Sequence, residues 1–120
     1  MNEGATISIG NNSYIAGDSK IYANKSISIV NDCALSWGTT IIDSDFHRII
    51  DSTLKNSSIC ESVNIGNHVW IGCNVTILKG VNTGDNSVIA SGSIVNKDVP
   101  ENCLAGGNPA RIIKKDIIWN

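Results

Sequence analysis

An aliphatic residue recurs at every sixth position along most of this 120-residue chain. The positions form three runs: Ile9, Ile15, Ile21 and Ile27; then, after a slip of two, Ile29, Leu35 and Ile41; then Ile59, Ile65, Ile71, Ile77, Ile89 and Val95, with Thr83 replacing the aliphatic residue once. A helix repeats its apolar stripe every 3.6 residues and a strand every two, so neither alone explains a period of six. Short strands joined by tight turns do explain it. The sequence therefore predicts an all-β coil with three hexads per turn of a triangular prism.

The residues between these aliphatic positions fit the same coil. Glycine, asparagine and aspartate recur where the chain must turn, as in Gly66-Asn67 and Gly84-Asp85-Asn86. Small or short branched residues, such as Cys33 and Val69, lie four positions after an aliphatic one. Each coil buries its stripe against the next coil, as in a solenoid. A β-sandwich with a coincidental period is the alternative, and the nearly unbroken hexads from Ile59 to Pro100 argue against it.

Composition excludes several classes of partner. The net charge is -2, so nucleic acid is not an expected partner. No apolar run is long enough to cross a bilayer, and residues 1–10 lack the pattern of a signal peptide. The four cysteines have no CxxC spacing, so we expect no metal site, reduced thiols and a cytoplasmic protein.

The repeat lapses between Ile41 and Ile59, which predicts a loop at about residues 43–58 that leaves one corner of the prism. Loops on a rigid scaffold often carry function. This loop contains His47, with Asp43 and Asp45 close by in the sequence. A histidine titrates near neutral pH and a neighbouring carboxylate can orient its ring, so His47 is a candidate general base. Considered alone, a histidine in a polar loop is more often a solvated residue.

Four motifs, in this order, resemble the hexapeptide-repeat acetyltransferases over nearly the whole chain. The loop around Asp43-Ser44-Asp45-Phe46-His47 resembles the one that carries the family's catalytic histidine. The other matching stretches are residues 65–72 (IGNHVWIG), 91–100 (SGSIVNKDVP) and 105–114 (AGGNPARIIK). The ending at residues 113–119 is similar to the branch that O-acetylates surface polysaccharides or their sugar precursors. The family usually has more sequence before the first coils, so the chain is either a compact member or a truncated product.

The resemblance implies a fold and an assembly. It implies a left-handed parallel β-helix, formed as a single domain over residues 1–120. It further implies a homotrimer with three active sites in the clefts between neighbouring prisms. From about Ala110 the chain is expected to leave the prism as a C-terminal extension, a short helix.

The resemblance also implies an acetyl transfer from acetyl-CoA to a sugar hydroxyl. His47 is the expected base, with Asp45 as the first and Asp43 as the second choice to orient it. Backbone amides between Gly72 and Asn74 are expected to stabilise the oxyanion. The residues expected to contact acetyl-CoA are Trp70, Cys73, Ser91, Asn96, Lys97, Arg111 and Lys114. A strand would place His68 and Trp70 on one face, so His68 is expected to shape the cleft or contact a neighbouring subunit.

Four alternatives stay open at this point. The first is a non-catalytic β-helix for assembly or binding, and the second is transfer to another small acceptor such as serine or an antibiotic. The third is a thiol mechanism through Cys73 or Cys60, although no base partner is evident for either. The fourth is a carbonic anhydrase on the same scaffold, which requires three histidine ligands, whereas this chain has two histidines.

Overall fold

The computed structural model describes residues 3–53 and 58–120, and within them the chain forms a parallel β-solenoid without a helix. The first coil contains β1 (Thr6–Ile9), β2 (Tyr14–Ile15) and β3 (Lys20–Tyr22). The second contains β4 (Ser26–Ile29), β5 (Ala34–Leu35) and β6 (Thr40–Ile42). The third contains β7 (Val63–Ile65), β8 (Trp70–Ile71) and β9 (Thr76–Ile77). The fourth contains β10 (Asn82–Thr83), β11 (Val88–Ile89) and β12 (Ile94–Val95). The chain ends with β13 (Leu104–Gly107) and β14 (Ala110–Lys114).

Equivalent strands of successive coils pair in parallel and form the three faces of the prism. Sheet A contains β1, β4, β7 and β10, and sheet C contains β3, β6, β9 and β12. Sheet B contains β2, β5, β8, β11, β13 and β14. Paired residues are 18 positions apart between the third and fourth coils, as in Asn64 with Asn82. They are 20 apart between the first two coils, as in Thr6 with Ser26, which is the slip of two in the repeat.

The hexad residues point inward and stack one coil on the next, as the repeat predicts, except for Ile59. That residue is half-buried in the returning arm of the loop, and Ile41 pairs directly with Ile77 instead. In sheet A, Ile29 pairs with Ile9 on one side and with Ile65 on the other. Ile65 pairs in turn with Thr83. The fully buried hexad side chains of the inner coils are Ile29, Leu35, Ile41, Ile65, Ile71, Ile77 and Ile89. Each coil is therefore stabilised mainly by apolar area that it shares with its neighbours.

One corner of the prism carries a column of residues in the left-handed backbone region. Asn12, Asp32, His68, Asn86 and Asn102 follow one another there, with φ between 54° and 62°. Asparagine and aspartate tolerate this conformation better than most side chains, which explains their recurrence in the repeat. His68 is the unexpected member. The expectation that it shares a strand face with Trp70 is wrong, because His68 occupies the turn and β8 begins only at Trp70.

The C-terminal extension is not helical, which corrects the expectation for residues from Ala110. β14 runs antiparallel to β13 and pairs with its free edge. A tight turn with positive φ at Gly107 and a cis Asn108–Pro109 bond connects the two strands. The physical reason is that a helix would leave the edge of β13 without backbone partners, whereas a hairpin pairs that edge. Among the described residues, no helix has the length and hydropathy that a bilayer-spanning segment needs.

Candidate active site

The loop that interrupts the repeat leaves and re-enters the prism as a short antiparallel clamp. Paired residues of β4 and β7 are 36 positions apart, so the insertion adds 18 residues to one coil. Ser44 and Cys60 form an antiparallel bridge at its base. The amide of Asp45 donates to the carbonyl of Ile59 at 2.9 Å, and that of Glu61 donates to the carbonyl of Asp43 at 2.9 Å. The insertion therefore starts and ends at this bridge, and its residues 54–57 lie outside the described part of the chain.

His47 lies two residues beyond this clamp and is exposed. The preceding residue, Phe46, has a φ of 62°, which is an outlier for a bulky side chain. Its conformation is supported by a hydrogen bond from its amide to Ser44 Oγ at 2.9 Å and by an edge-on contact with the Tyr22 ring at 5.3 Å. Within residues 3–53 and 58–120, the ring of His47 makes no hydrogen bond or ion pair. Its imidazole is thus exposed, two positions in the sequence from the base of the loop.

The two candidate orienting carboxylates have partners of their own. Asp45 Oδ2 lies 2.7 Å from Lys79 Nζ, and Lys79 also donates to the carbonyl of Ser58 on the returning side of the loop. Asp43 is fully buried, and its two oxygens accept the backbone amides of Asn24 and Lys25 at 2.7 and 2.8 Å. Neither carboxylate is hydrogen-bonded to His47 in this conformation. Asp43 instead connects the base of the loop to the corner between the first two coils.

Three of the residues expected at acetyl-CoA lie around the corner that follows sheet B. The amide of Cys73 donates to Ser91 Oγ at 3.1 Å, and the amide of Gly92 donates to the carbonyl of Cys73 at 2.8 Å. Gly72 is required for this packing, because a Cβ there would lie 2.6 Å from the amide nitrogen of Ser91. Trp70 projects from the outer face of sheet B and lines the same groove as Ser91, of about 400 Å³. The structure thus brings Trp70, Cys73 and Ser91 together.

The expected cations form a second group. Lys97 and Arg111 line a common cavity of about 370 Å³, although they are separated by 14 positions in the sequence. The hairpin brings them together, because β14 returns towards the segment that follows β12. Asn96 is exposed beside Lys97, and Lys114 is exposed at the far end of β14, opposite Leu104. Asp98 also lines this cavity, and its carboxylate accepts the backbone amide of Asn82. Two exposed cations beside that engaged carboxylate leave a net positive cavity suited to a phosphate group.

The sequence did not predict the path of the last residues, which fold back along the outer side of the prism. The amide of Ile117 donates to the carbonyl of Asn102, and Trp119 Nε1 donates to the carbonyl of His68, both at 2.9 Å. The Trp119 ring stacks on the His68 imidazole, with centroids 3.9 Å apart and planes 5° apart. It also lies 5.9 Å from the ring of Trp70. The apolar run from Ile117 to Trp119 was the sequence feature that could have indicated a docked tail.

Comparisons with known proteins agree on one family. No family model matches the sequence. The chain is 38% identical over 120 residues to the galactoside O-acetyltransferase of Escherichia coli K12, covering 93% of this chain and 55% of that protein. Its structure matches that of a polySia-specific acetyltransferase with a TM-score of 0.93 and 39% identity, over 98% of this chain and 51% of the other. It also matches a hexapeptide-repeat acetyltransferase of Vibrio cholerae complexed with acetyl coenzyme A, with a TM-score of 0.81, 33% identity, and 92% and 60% coverage.

This chain belongs to the hexapeptide-repeat acetyltransferases. This membership confirms the resemblance that the sequence motifs indicate. The chain spans about half the length of the curated relatives it matches.

The cysteines of this hexapeptide-repeat protein are all free thiols. Cys33 and Cys103 are buried in the stack, and burial raises the pKa of the Cys33 thiol. Cys60 and Cys73 are half-buried at corners. Among the described residues, no group of three histidine, cysteine, aspartate or glutamate side chains could hold a metal ion.

Proposed function

We propose that the chain is an acetyl-CoA-dependent O-acetyltransferase that acylates a hydroxyl of a sugar or polysaccharide. The observation that carries this proposal is the match to a polySia-specific acetyltransferase over 98% of the chain with a TM-score of 0.93. The galactoside O-acetyltransferase among its relatives favours the same class of acceptor. The acetyl coenzyme A complex of the Vibrio cholerae protein favours acetyl-CoA as the donor.

In this proposal His47 is the general base. Its exposure and its lack of a hydrogen-bonding partner within the described chain leave its ring available to an acceptor hydroxyl. The clamp at Ser44 and Cys60 keeps the histidine near the rigid stack. Asp45 remains the first candidate to orient the ring, which requires its carboxylate to turn away from Lys79. Asp43 is the second candidate, and its engagement with two backbone amides makes it the weaker one.

Acetyl-CoA would lie along the two groups of residues described above. The backbones of Cys73 and Ser91 would follow the pantetheine arm, with Trp70 beside the thioester. Asn96 and Lys97 would lie towards the nucleotide. Arg111 and Lys114 would meet the phosphates, since guanidinium and ammonium groups bind phosphate oxygens strongly. The cavity that Lys97 and Arg111 share supports this assignment.

The reaction then needs no covalent enzyme intermediate. His47 takes the proton of the acceptor hydroxyl as its oxygen attacks the thioester carbonyl carbon. Amides between Gly72 and Asn74 donate to the resulting oxyanion. The tetrahedral intermediate collapses with loss of the CoA thiolate, which takes up the proton from the imidazolium. Holding both substrates in one cleft supplies much of the rate enhancement.

The proposed assembly is a homotrimer of left-handed β-helices with its active sites between neighbouring protomers. Exposed apolar side chains on the outer surface, among them Trp37 and Ile113, are consistent with surfaces that become covered.

Two variants test this assignment in one set of kinetic measurements. We expect His47→Ala to lower kcat by about 10²–10⁴-fold, the usual contribution of a general base, with an unchanged KM for acetyl-CoA. Arg111→Ala should do the reverse, raising the KM for acetyl-CoA with a smaller effect on kcat. CoA release would be followed with a panel of galactosides and sialosides.

Other outcomes would point to the remaining alternatives. Full activity in His47→Ala would remove the histidine from the chemistry, and an unchanged KM in Arg111→Ala would remove the arginine from the binding site. A burst of CoA without any acceptor would favour a thiol mechanism through Cys73 or Cys60. No CoA release with any acceptor would favour a binding module.

A further inference from the structure

The outer face of sheet B has a slot between two aromatic side chains. Tyr14 of β2, Ala34 of β5 and Trp70 of β8 are register partners in three successive coils. Their side chains point outward, because the residues that follow them, such as Leu35, point into the core. An alanine thus separates two exposed aromatic residues.

The spacing of the strands sets the width of this slot. Adjacent strands are about 4.8 Å apart, so the backbones of Tyr14 and Trp70 are separated by about 9.6 Å. Aromatic rings stack with neighbouring groups at centroid distances of about 4.5 Å and more. One six-membered ring between two aromatic faces therefore needs about twice that distance, close to the separation of the strands. The methyl group of Ala34 leaves the space between them open.

The C-terminal tail forms the third wall. Trp119 is inclined at 45° to Trp70, with the centroids 5.9 Å apart. It is held in place by its stacking on His68 and by its hydrogen bond to the His68 carbonyl. A side chain fixed on two sides loses little rotational freedom on binding a ligand, so this wall is preorganised.

Polar groups complete the cavity. It has a volume of about 350 Å³ and is lined by Tyr14, Ala34, Ser36, Trp70, Trp119 and Asn120. Apolar walls with a few polar groups are typical of small-ligand sites, and the volume falls at the lower end of their range. A pyranose ring has the matching chemistry, because it presents C–H groups on its faces and hydroxyls at its rim.

We propose that this slot binds one pyranose ring of the acceptor, and that Tyr14 and Trp119 determine acceptor specificity. The inference rests on the proposed function, since it assigns the acceptor to the same side of the prism as the proposed acetyl-CoA contacts. Trp70 lines both this slot and the groove that contains Ser91. The sugar would thus lie next to the proposed thioester position.

The test measures sugar binding separately from catalysis. Saturation-transfer NMR on the full chain would use methyl β-galactoside and a sialic acid oligomer as probes. We expect saturation of the ring C–H protons of at least one probe. Ala34→Leu fills the slot and should weaken that binding by about tenfold or more. Ser8→Leu is the control, since it places the same leucine side chain on the outer face of sheet A.

Tyr14→Ala is the second variant, because its side chain is 61% exposed and its removal disturbs little packing. It should also weaken the sugar and raise the KM for the acceptor without changing the KM for acetyl-CoA. Circular dichroism would verify that each variant is folded. Parental binding in folded Ala34→Leu or Tyr14→Ala overturns the slot, and so does the absence of saturation transfer to the parent protein.

The design separates this inference from the proposed function. If His47→Ala retains full activity while Ala34→Leu loses the sugar, the slot stands and the base assignment fails. If the parent binds sugar through the slot but releases no CoA, the slot again stands and the transferase proposal fails.

Discussion

Thr83 places a hydroxyl where the repeat otherwise places an aliphatic side chain. It is buried in sheet A beside Ile65, and its Oγ1 has no hydrogen-bonding partner within residues 3–53 and 58–120. A buried polar atom without a partner costs about 1–3 kcal/mol. The core therefore contains, at Thr83, a side-chain hydroxyl whose hydrogen-bonding capacity is not used.

We expect Thr83→Val to stabilise the fold by about 1–3 kcal/mol, because valine has nearly the same shape and lacks the unsatisfied hydroxyl. Chemical denaturation would measure the change in the free energy of unfolding.

Thr39→Val is the matched control for that substitution. Thr39 is equally buried, but its Oγ1 donates to the carbonyl of Ser36 at 2.8 Å. Thr39→Val should therefore be neutral, or should destabilise the fold by up to about 1.5 kcal/mol. If both valine variants shift the unfolding midpoint alike, the missing partner at Thr83 has no energetic consequence.

At the scale of elements, the inserted loop and the corner of the first coil depend on one carboxylate. Asp43 lies at the root of the loop, and its oxygens accept two amides from the corner between β3 and β4. That corner contains the two extra residues of the first coil. Its backbone amides therefore cannot all donate to the adjacent coil in the regular hydrogen-bond ladder.

We expect Asp43→Ala to lower the free energy of unfolding by about 1–3 kcal/mol, because two partly buried amides lose their charged acceptor. Asp45→Ala is the comparison, since it removes a partly exposed ion pair worth about 0–1 kcal/mol. Thermal unfolding of both variants would rank them. An Asp43→Ala protein as stable as Asp45→Ala would contradict a structural role for Asp43.

The strands could be predicted from the sequence where the repeat is regular. The register from Ile65 to Val95 follows from the inward stack, and the two-residue slip after Ile27 appears in the structure as a longer first coil. The period itself could also have assigned His68 to the turn column, because the equivalent places hold Asn86 and Asn102.

The C-terminal hairpin and tail could not be read from the repeat, because neither continues it. The turn residues Gly107-Asn108-Pro109 indicate a reversal, but the partner that attracts β14 is the free edge of a strand. Such an edge exists only after the coils have stacked. The same holds for the cavity at Lys97 and Arg111, and for the contact of Trp119 with His68.

At the scale of the whole molecule, the proposed trimer predicts complementation between damaged protomers. If each active site takes His47 from one protomer and Arg111 from its neighbour, mixed trimers of His47→Ala and Arg111→Ala contain intact sites. Random mixing in a closed three-fold ring restores about a quarter of the active sites.

The experiment is to unfold the two variants together, refold them and assay at limiting acetyl-CoA. Sedimentation of the parent should give three times the mass of one chain. A monomeric parent would contradict the assembly. Activity after mixing that equals the mean of the separate variants would show that each site lies within a single protomer.

Because Ser44 and Cys60 bridge the two ends of the loop, the geometry of the stacked coils does not depend on the length of the loop. The coils before and after the loop keep the regular pairing of Ile41 with Ile77, although 18 extra residues lie between them. Insertions and exchanges between the two arms of the clamp should therefore leave the folding of the prism intact. A scaffold with this property can be diversified at one segment without rebuilding the protein beneath it.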